Sequence, residues 1–476
     1  MLRDKRMEAT LLVATLALAT TLGAGLAYEE TKYIVGGFVA LALGAAAIAA
    51  PRSLSLLAVP AMVLVPPTVR IPSFGTGLTP LRLIVVFAVA GWALSGPHMQ
   101  RMPTTYRISA LLFSVYVILL ASPHDLTSIS RGVAYSVESF AIAWLAWRAI
   151  RNRRDLFRLL DVLIAVMIVA SSLAVYETIV GHFLFPAVAG IFFHAPLRDG
   201  HIRAQGVFPH PLVLGTALAI MLPVAITRAL TTGGRRRAFC IGAAVLFALT
   251  LILIDGRGPW IGAAVAVVAL AIFVRGSSRF AIFASLLLCV VAVAVSPLEG
   301  NVVSLLESVA SSEASQEGAS SVRYRQALLT ASVSYAETHP FGAGPGQEES
   351  AHLAGTLETH LNNSIDNNYA KYAVELGPVG LLLFLFVIAS VVHFVWRVRS
   401  VRDDELATVA SGILAGEIAM LVISATVATF SWQQLAALFW LLVGGSMTLE
   451  VLGRPSRHAT PPTHEVPGGQ LISSHI

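Results

Sequence analysis

Long apolar runs recur along the chain and limit its possible folds more than any other feature. Many contain roughly 17–22 residues, the length that an α-helix needs to cross the hydrocarbon core of a bilayer. Mean hydropathy is +0.75 and charged residues make up only 12% of the sequence, values that a soluble domain of 476 residues would not tolerate. The sequence therefore predicts an all-α polytopic integral membrane protein with about 12–14 transmembrane helices and a large external loop forming a small helical cap.

The candidate spans and the charged loops between them predict a topology. Hydropathy indicates spans at 9–27, 33–50, 54–66, 80–96, 107–121, 129–150, 156–180, 211–229, 238–254, 260–274, 280–297, 376–396, 405–430 and 434–453. The segment 54–66 is the shortest, and whether it crosses the membrane stays open. Arginines cluster in alternate loops, for example at 151–154 and 235–237, and the positive-inside rule then places these loops and both termini in the cytoplasm.

This topology divides the chain into five parts. They are N-terminal transmembrane helices (1–200), core helices (201–297), a large external loop expected to carry catalysis (298–375), C-terminal helices (376–453) and a disordered cytoplasmic tail (454–476). Within the loop, residues 321–338 have helical spacing, and five of them are broadly on one side: Val322, Leu328, Leu329, Val333 and Tyr335. His339-Pro340 should end that helix, because proline cannot continue it and restricts its predecessor.

Arg257 lies in the segment Asp255-Gly256-Arg257-Gly258, which joins two spans by a tight external turn. Glycines on both sides are expected to let the backbone bend and to leave the guanidinium approachable. The alternative is an arginine that snorkels to the membrane surface and is balanced by Asp255. The glycines favour a binding role, since a snorkelling side chain does not need them.

Arg323 and Arg325 are the two basic residues between Glu299 and Asp366, a stretch that carries nine acidic residues. Guanidinium groups bind phosphate through a planar bidentate fork, so these arginines are candidates for an anionic ligand. The two positions are about 200° apart on a helix, so one of them should point into a shared pocket. The alternative for either residue is an ion pair with a neighbouring glutamate.

A further candidate cluster is Arg203 to Pro211, at the external start of the span 211–229. Pro211 is well suited to open a helix, and helix N-termini attract anions. Arg203 and His210 are therefore candidates to frame an anionic headgroup, although a lone histidine here is more often a capping residue.

The segment from Asp366 to Gly377 is rich in amides and runs directly into an apolar span. Asp366 is a candidate general base, and its neighbours Asn363, Asn367 and Asn368 are candidates for tuning and positioning it. Tyr369 is a further candidate site residue. His360 is the competing base. Asp366 has a second interpretation, as the N-cap of the following helix.

No carboxylate or histidine cluster has the spacing of metal ligands, so neither a metal ion nor a cofactor is expected. Cys240 and Cys289 both lie inside apolar runs and are interpreted as packing residues. The basic residues are interpreted as topology signals, which excludes a nucleic-acid partner.

These motifs resemble the O-antigen ligase/polymerase superfamily of bacterial envelope glycan enzymes. The resemblance covers about 200–395. It consists, in order, of Arg203 to Pro211, Arg257-Gly258, the helix from Arg323 that ends in His-Pro with Gly-x-Gly, and Asn367 to Gly377. It implies a metal-independent glycosyltransferase of the bacterial cytoplasmic membrane. Its donor would be a glycan on a polyprenyl pyrophosphate, its acceptor a glycan hydroxyl, and its active site external, with chain-length regulators or flippases as possible partners.

The resemblance also implies roles for individual residues. Arg257, with Arg323 or Arg325 and with Arg203, would hold the pyrophosphate leaving group. In the ligase branch a histidine typically precedes the Asn-x-Tyr motif, whereas this chain has Asp366 there. The departure favours a polysaccharide polymerase, of O-antigen or exopolysaccharide type, over a ligase that transfers the glycan to a lipid or other acceptor.

Two other classes stay open at this point. A transporter could use Arg131, Glu138, Asp161 and Glu417 as an intramembrane relay, but the polar groups gather on one face and no repeat is visible. A non-catalytic scaffold is the remaining alternative, and arginines concentrated at external turns argue against it.

Overall fold

The structure is a computed structural model that describes residues 42–65, 79–94, 102–121, 126–184, 197–198, 201–275, 316–347, 365–398 and 403–453. The predicted spans 9–27 and 280–297, the tail 454–476, Cys289 and His360 lie outside these residues. Within them the chain is overwhelmingly helical, which confirms the predicted all-α polytopic architecture. The division into five parts stays a prediction.

Residues 42–49 are helical, and fourteen further α-helices follow them in the described residues. They are α1 (Pro51–Leu64), α2 (Pro80–Leu94), α3 (Thr104–Ala121), α4 (Leu126–Val133), α5 (Ser139–Ala149), α6 (Arg153–Val180), α7 (Pro211–Thr231), α8 (Gly234–Ile254), α9 (Arg257–Phe273), α10 (Gln316–Thr338), α11 (Asn368–Glu375), α12 (Gly377–Val398), α13 (Asp404–Ile423) and α14 (Gln433–Gly453). A π-helical turn, Ala134–Glu138, joins α4 to α5, and a 3-10 turn, Thr429–Ser431, precedes α14. The short strands β1 (Leu197–Arg198) and β2 (His201–Ile202) pair antiparallel.

Six of the described helices are long and apolar enough to cross a membrane: α3, α6, α7, α8, α12 and α13. Four shorter apolar helices accompany them: α1, α2, α9 and α14. The protein is therefore a multi-pass membrane protein. The short predicted span 54–66 corresponds to α1, a 14-residue apolar helix that contains Pro60.

Helix α7 lies at the centre of the bundle and is almost wholly buried. It packs against α13 through small residues, since Gly412 lies on Thr227 and Gly416 lies on the carbonyl of Ile220, with no room for a Cβ at either glycine. Close backbone approach through small residues is the usual way in which membrane helices associate. Pro211 occupies the first turn of α7, as predicted.

One predicted span is shorter than expected. The segment 405–430 is not one helix, because α13 ends at Ile423 and residues 424–428 form a turn before the 3-10 helix. Side chains stabilise this turn: the hydroxyls of Ser424 and Thr429 hydrogen-bond to each other, and that of Thr426 donates to the carbonyl of Ile423, 3.0 Å away. We call residues 424–431 the α13–α14 turn.

Helix α10 ends at Thr338, directly before His339-Pro340, as predicted. Its buried side is formed by Leu328, Ser332 and Ala336, spaced four residues apart. Leu329 and Val333 are about half exposed, so their predicted placement with Leu328 was wrong. The reason is helical geometry, because only residues three or four apart share the narrow contact with α11.

Candidate functional site

The segment around Arg257 forms a two-residue connection between α8 and α9. Helix α8 ends at Ile254, Asp255 adopts a left-handed conformation with φ of 48°, and Gly256 is the N-cap of α9. Arg257 is the first residue of α9. We call residues 255–258 the Arg-Gly turn. Its arginine starts a helix, where the backbone dipole and the guanidinium both favour an anion.

The glycines of this turn serve close packing. A Cβ on Gly258 would lie 2.7 Å from the Thr426 hydroxyl, and one on Gly256 would lie 2.8 Å from the Leu212 side chain. The expectation that these glycines supply the bend was wrong. Asp255 is the residue with positive φ, and Gly256 has a φ of −124° that any residue can adopt.

Arg203 contacts the backbone of the Arg-Gly turn. Its Nε donates to the carbonyl of Ile254 at 2.7 Å, and its Nη2 donates to the carbonyl of Asp255 at 3.1 Å. Carbonyls at the C-terminus of a helix lack partners within the helix, and a guanidinium satisfies two of them here. Arg203 is therefore bound to the end of α8, at carbonyls two and three residues before Arg257.

His210 is the N-cap of α7, and its Nδ1 accepts a hydrogen bond from the Leu212 backbone N–H at 3.0 Å. Burial, together with the nearby positive charge of Arg203, lowers the pKa of His210 to about 4. The imidazole is therefore neutral near pH 7. It acts as the capping residue that the alternative interpretation allowed.

Glu177 belongs to this cluster and was missed by the sequence analysis. It is buried near the end of α6, where Oε2 accepts from the Gly206 N–H at 2.6 Å and Oε1 accepts from the Leu184 N–H at 2.9 Å. The available signal was an acidic residue close to the end of a predicted span. Its partners lie in a loop whose path is not readable from local periodicity.

The structure brings Arg325 and Asp366 together. Arg325 Nη2 lies 3.4 Å from Asp366 Oδ2, and both side chains are about half exposed. Asp366 does not cap α11, because Asn367 does so by accepting from the N–H groups of Tyr369 at 2.9 Å and Ala370 at 3.1 Å. The carboxylate of Asp366 is thus available for a role other than capping, and the ion pair predicted for this arginine is with an aspartate.

Asn368 attaches α11 to the α13–α14 turn, and Tyr369 attaches it to the end of α13. The Asn368 N–H donates to the Ser424 carbonyl at 2.8 Å, and its buried Oδ1 accepts from the Phe430 N–H at 3.0 Å. The Tyr369 hydroxyl donates to the Leu421 carbonyl at 2.7 Å. These two predicted site residues therefore position Asp366 through backbone contacts.

The turn after α10 is attached to the other end of α11. The N–H groups of Ala343 and Gly344 donate to the carbonyls of Val374 and Glu375, each at 2.8 Å. Close contact between Gly342 and the backbone at Glu375 leaves no space for a side chain there, and φ of Gly342 is 70°. Arg131 also reaches this turn, and its Nη1 donates to the Gly346 carbonyl at 3.3 Å.

The side chains of two predicted site residues lie outside the described residues. Arg323 lies on α10 but its side chain is outside the described residues, and His360 lies wholly outside them. Among the residues that the structure does describe, no group of three His, Cys, Asp or Glu side chains is placed to share a metal ion. The expected lack of a metal ion or cofactor stays a prediction.

The four residues of the transporter alternative contact different partners. Glu138 forms an ion pair with Arg82 at 2.9 Å, Asp161 forms one with Arg228 at 3.0 Å, and Arg131 binds the turn at Gly346. Glu417 is buried in α13. No contact among the described residues links these side chains into a relay.

Part of the chain matches a known protein family. A family model described as O-antigen ligase matches residues 242–385. This range begins within α8, ends within α12 and includes the Arg-Gly turn, α10 and α11. Arg203, His210, Glu177 and the α13–α14 turn lie outside it. No curated protein matches the chain.

Proposed function

We propose that this chain is a polysaccharide polymerase of the O-antigen ligase/polymerase superfamily, in which glycosyl transfer is the general reaction. The match of residues 242–385 to a family model described as O-antigen ligase supports this proposal. Its donor is an oligosaccharide on a polyprenyl pyrophosphate, and its acceptor is a glycan hydroxyl at the external face of the cytoplasmic membrane. The transfer needs no metal ion or other cofactor.

The observation that carries this proposal is the meeting of two candidate segments on the α13–α14 turn. Gly258, which follows Arg257, packs on Thr426, and Asn368, two residues after Asp366, donates to Ser424. Residues separated by more than a hundred positions thereby attach to neighbouring points of one turn. These contacts support a site in which Arg257 serves the leaving anion and Asp366 serves the acceptor hydroxyl.

Arg257 stabilises the departing pyrophosphate. Breakage of the bond between the anomeric carbon and the phosphate oxygen transfers the electron pair to that oxygen, so negative charge grows on the leaving group. Fixed cations and helix N-termini that face such a charge lower the barrier, and Arg257 combines both. Arg325 or Arg323, on α10, supplies the second cation.

Asp366 accepts the proton of the attacking hydroxyl. The acceptor oxygen forms its new bond to the anomeric carbon from the side opposite the pyrophosphate, which inverts the configuration, and its proton passes to the carboxylate. The exposed position of Asp366 keeps it accessible to a glycan. His360 is the competing candidate for this role, and it lies outside the described residues.

The polymerase assignment rests on one position. Asp366 stands where a ligase of the superfamily typically carries histidine, and this difference favours the polymerase branch. Transfer to a lipid or another acceptor, the ligase reaction, is the second candidate, favoured by the description of the matching family model.

The test uses the purified full-length protein in proteoliposomes with a lipid-linked oligosaccharide. Longer glycans on the same lipid are the expected product, whereas transfer only to a different acceptor would show a ligase. Arg257→Ala should abolish turnover, and Arg235→Ala is the matched control because Arg235 is exposed at the opposite end of α8. Full activity of Arg257→Ala would remove this arginine from the site.

Asp366→Asn and His360→Asn, assayed side by side, identify the base. We expect Asp366→Asn to lower kcat by about 10²–10⁴-fold, the usual contribution of a general base. A normal rate in Asp366→Asn combined with a large loss in His360→Asn would assign the role to His360.

A further inference from the structure

Residues 203–210, which we call the strap, connect the end of α6 with the Arg-Gly turn. The strap is bound at three places: to Glu177 of α6, to the end of α8, and to the start of α7. An inference about its role rests on the proposed function of Arg257, and it concerns residues outside the matched range 242–385.

The middle of the strap is bound by Glu177. A buried carboxylate is costly unless its oxygens accept hydrogen bonds, and here the N–H groups of Gly206 and Leu184 donate to one oxygen each. Gly206 has a φ of 59°, and a Cβ there would lie 3.1 Å from the Ala170 carbonyl. The strap therefore lies directly on α6, at a position that only glycine fits without strain.

The first residue of the strap reaches the Arg-Gly turn. Arg203 donates to the carbonyls of Ile254 and Asp255, and the Ala204 N–H donates to the Leu253 carbonyl at 3.3 Å. Asp255 is the one described non-glycine residue with positive φ. Such a conformation costs free energy and persists only where surrounding contacts hold it. The two bonds from Arg203 provide that restraint, two residues before Arg257.

The last residue of the strap fixes the opposite side of the turn. His210 caps α7, and Leu212 in the first turn of α7 packs against Gly256. Pro259 likewise packs against Gly215 of α7, where a Cβ would lie 2.8 Å away. Both sides of Arg257 are thus in contact with elements that the strap joins.

We infer that Glu177 and Arg203 are positioning residues that act through the strap and the Arg-Gly turn to set the direction of the Arg257 guanidinium. Arg203 was predicted to bind pyrophosphate itself. One edge of its guanidinium fork, Nε and Nη2, is instead directed to two backbone carbonyls. Its effect on catalysis therefore passes through the geometry of the turn.

Neutralisation of Glu177 has opposite effects if the residue acts by positioning and if it acts only by its charge. A carboxylate near an anion-binding site repels the anion, so its neutralisation alone would improve pyrophosphate binding. Positioning predicts the opposite effect on rate. An amide at this position has a single acceptor oxygen and cannot accept from both Gly206 and Leu184, so the strap loosens.

The kinetic test compares Glu177→Gln, Arg203→Lys and Arg203→Gln in the full-length protein with the lipid-linked oligosaccharide. We expect each to lower kcat by about 10²-fold with little change in KM, because a displacement of about 1 Å in a catalytic group costs that much. Lysine should not restore Arg203, since it lacks the planar fork. An unchanged or faster rate in Glu177→Gln would overturn the inference, as would a raised KM with normal kcat in Arg203→Gln and recovery in Arg203→Lys, the pattern of a direct phosphate ligand.

A second measurement does not depend on activity. Hydrogen–deuterium exchange of peptides covering residues 250–260 should become faster in Glu177→Gln and Arg203→Gln than in the native protein. Glu138→Gln is the matched control, because Glu138 also accepts hydrogen bonds but contacts Arg82 and Gln433 instead. Unchanged exchange in both strap variants would overturn the inference. If both strap variants exchange faster but the native protein transfers no glycan, the restraint of the Arg-Gly turn by the strap is supported and the proposed function is contradicted.

Discussion

The two arginine-bearing regions of the protein are built differently. The Arg-Gly turn is held by buried and half-buried contacts, from Arg203 to two carbonyls and from Leu212, Pro259 and Thr426 to its backbone and glycines. On α10, Arg325 meets Asp366 at 3.4 Å between two half-exposed side chains. An exposed ion pair of this kind stabilises a protein by about 0–1 kcal/mol.

Under the proposed function, the two regions serve different roles, one for the leaving group and one for the acceptor. Stabilisation of a leaving group requires a cation already in place when charge develops, which the restrained turn provides. An acceptor glycan has to enter and leave, which a weak and exposed pair between Arg325 and Asp366 permits. In the proposed function, an arriving anion draws Arg325 away from Asp366 and leaves the carboxylate to meet the acceptor hydroxyl.

The largest effect is expected from a change that keeps the charge of Arg257 and removes the planar shape of its guanidinium. Arg257→Lys keeps the charge but loses the planar fork, and we expect kcat/KM to fall by about 10³-fold. Arg325→Lys should lose less than tenfold, since its region is loosely held. Equal losses in the two variants, measured in the proteoliposome assay, would contradict the comparison.

The pH dependence of stability is the next effect. The pKa of His210 is lowered from 6.5 to about 4 in the folded protein, so the folded state favours the neutral imidazole. The contribution of His210 to the free energy of unfolding is fully present above pH 6.5 and is lost as the pH drops towards 4. The loss reaches about 3 kcal/mol, because protonation removes the acceptor for the Leu212 N–H.

Thermal unfolding of the detergent-solubilised protein measures this effect. The control is His210→Asn, which can cap α7 but does not titrate. Its Tm should vary less than that of the native protein between pH 7 and pH 5. An equal loss of Tm in both proteins would show that other groups account for the acid sensitivity.

A smaller effect concerns the packing of the Arg-Gly turn on the α13–α14 turn. Gly258→Ala should destabilise the protein by about 1–3 kcal/mol, since its methyl group would lie 2.7 Å from the Thr426 hydroxyl. Thr426→Ala removes that oxygen and leaves a Cβ 3.8 Å away, so the double variant should regain most of the Tm. A double variant no more stable than Gly258→Ala would mean that the clash is elsewhere.

The smallest effect is expected for the exposed pair. Arg325→Ala should change Tm by less than about 2 °C, because exposed ion pairs contribute little to stability. Activity should still fall. A large loss of stability would show that α10 depends on this contact and would remove the contrast between the regions.

Much of the architecture follows from local sequence. Apolar runs located the helices, Pro211 opened α7, and His339-Pro340 followed the end of α10. The boundaries failed where polar side chains competed for the backbone, as at Ser424 and Thr429, which end the predicted span 405–430 early. The interpretation of Asp366 as the N-cap of α11 was wrong by one residue, because Asn367 is the cap. Both residue types are good N-caps, and local propensity does not separate them.

Contacts between distant residues account for what the sequence did not reveal about the site. Arg203 was recognised as important, but its partners lie 51 and 52 positions away. Glu177 meets Gly206 across 29 positions through a backbone N–H, which every residue except proline possesses. A partner that consists of backbone alone leaves no mark in the pattern of side chains.

The sequence by itself determined the class of the protein, the location of most helices and the resemblance to the O-antigen ligase/polymerase superfamily, because hydrophobicity and proline act locally and motifs keep their order along the chain. Only the tertiary structure decided which guanidinium faces backbone, which carboxylate meets an arginine and which glycine is packed too closely for a side chain. Those outcomes depend on which helix ends come together, and that is a property of packing across the whole bundle.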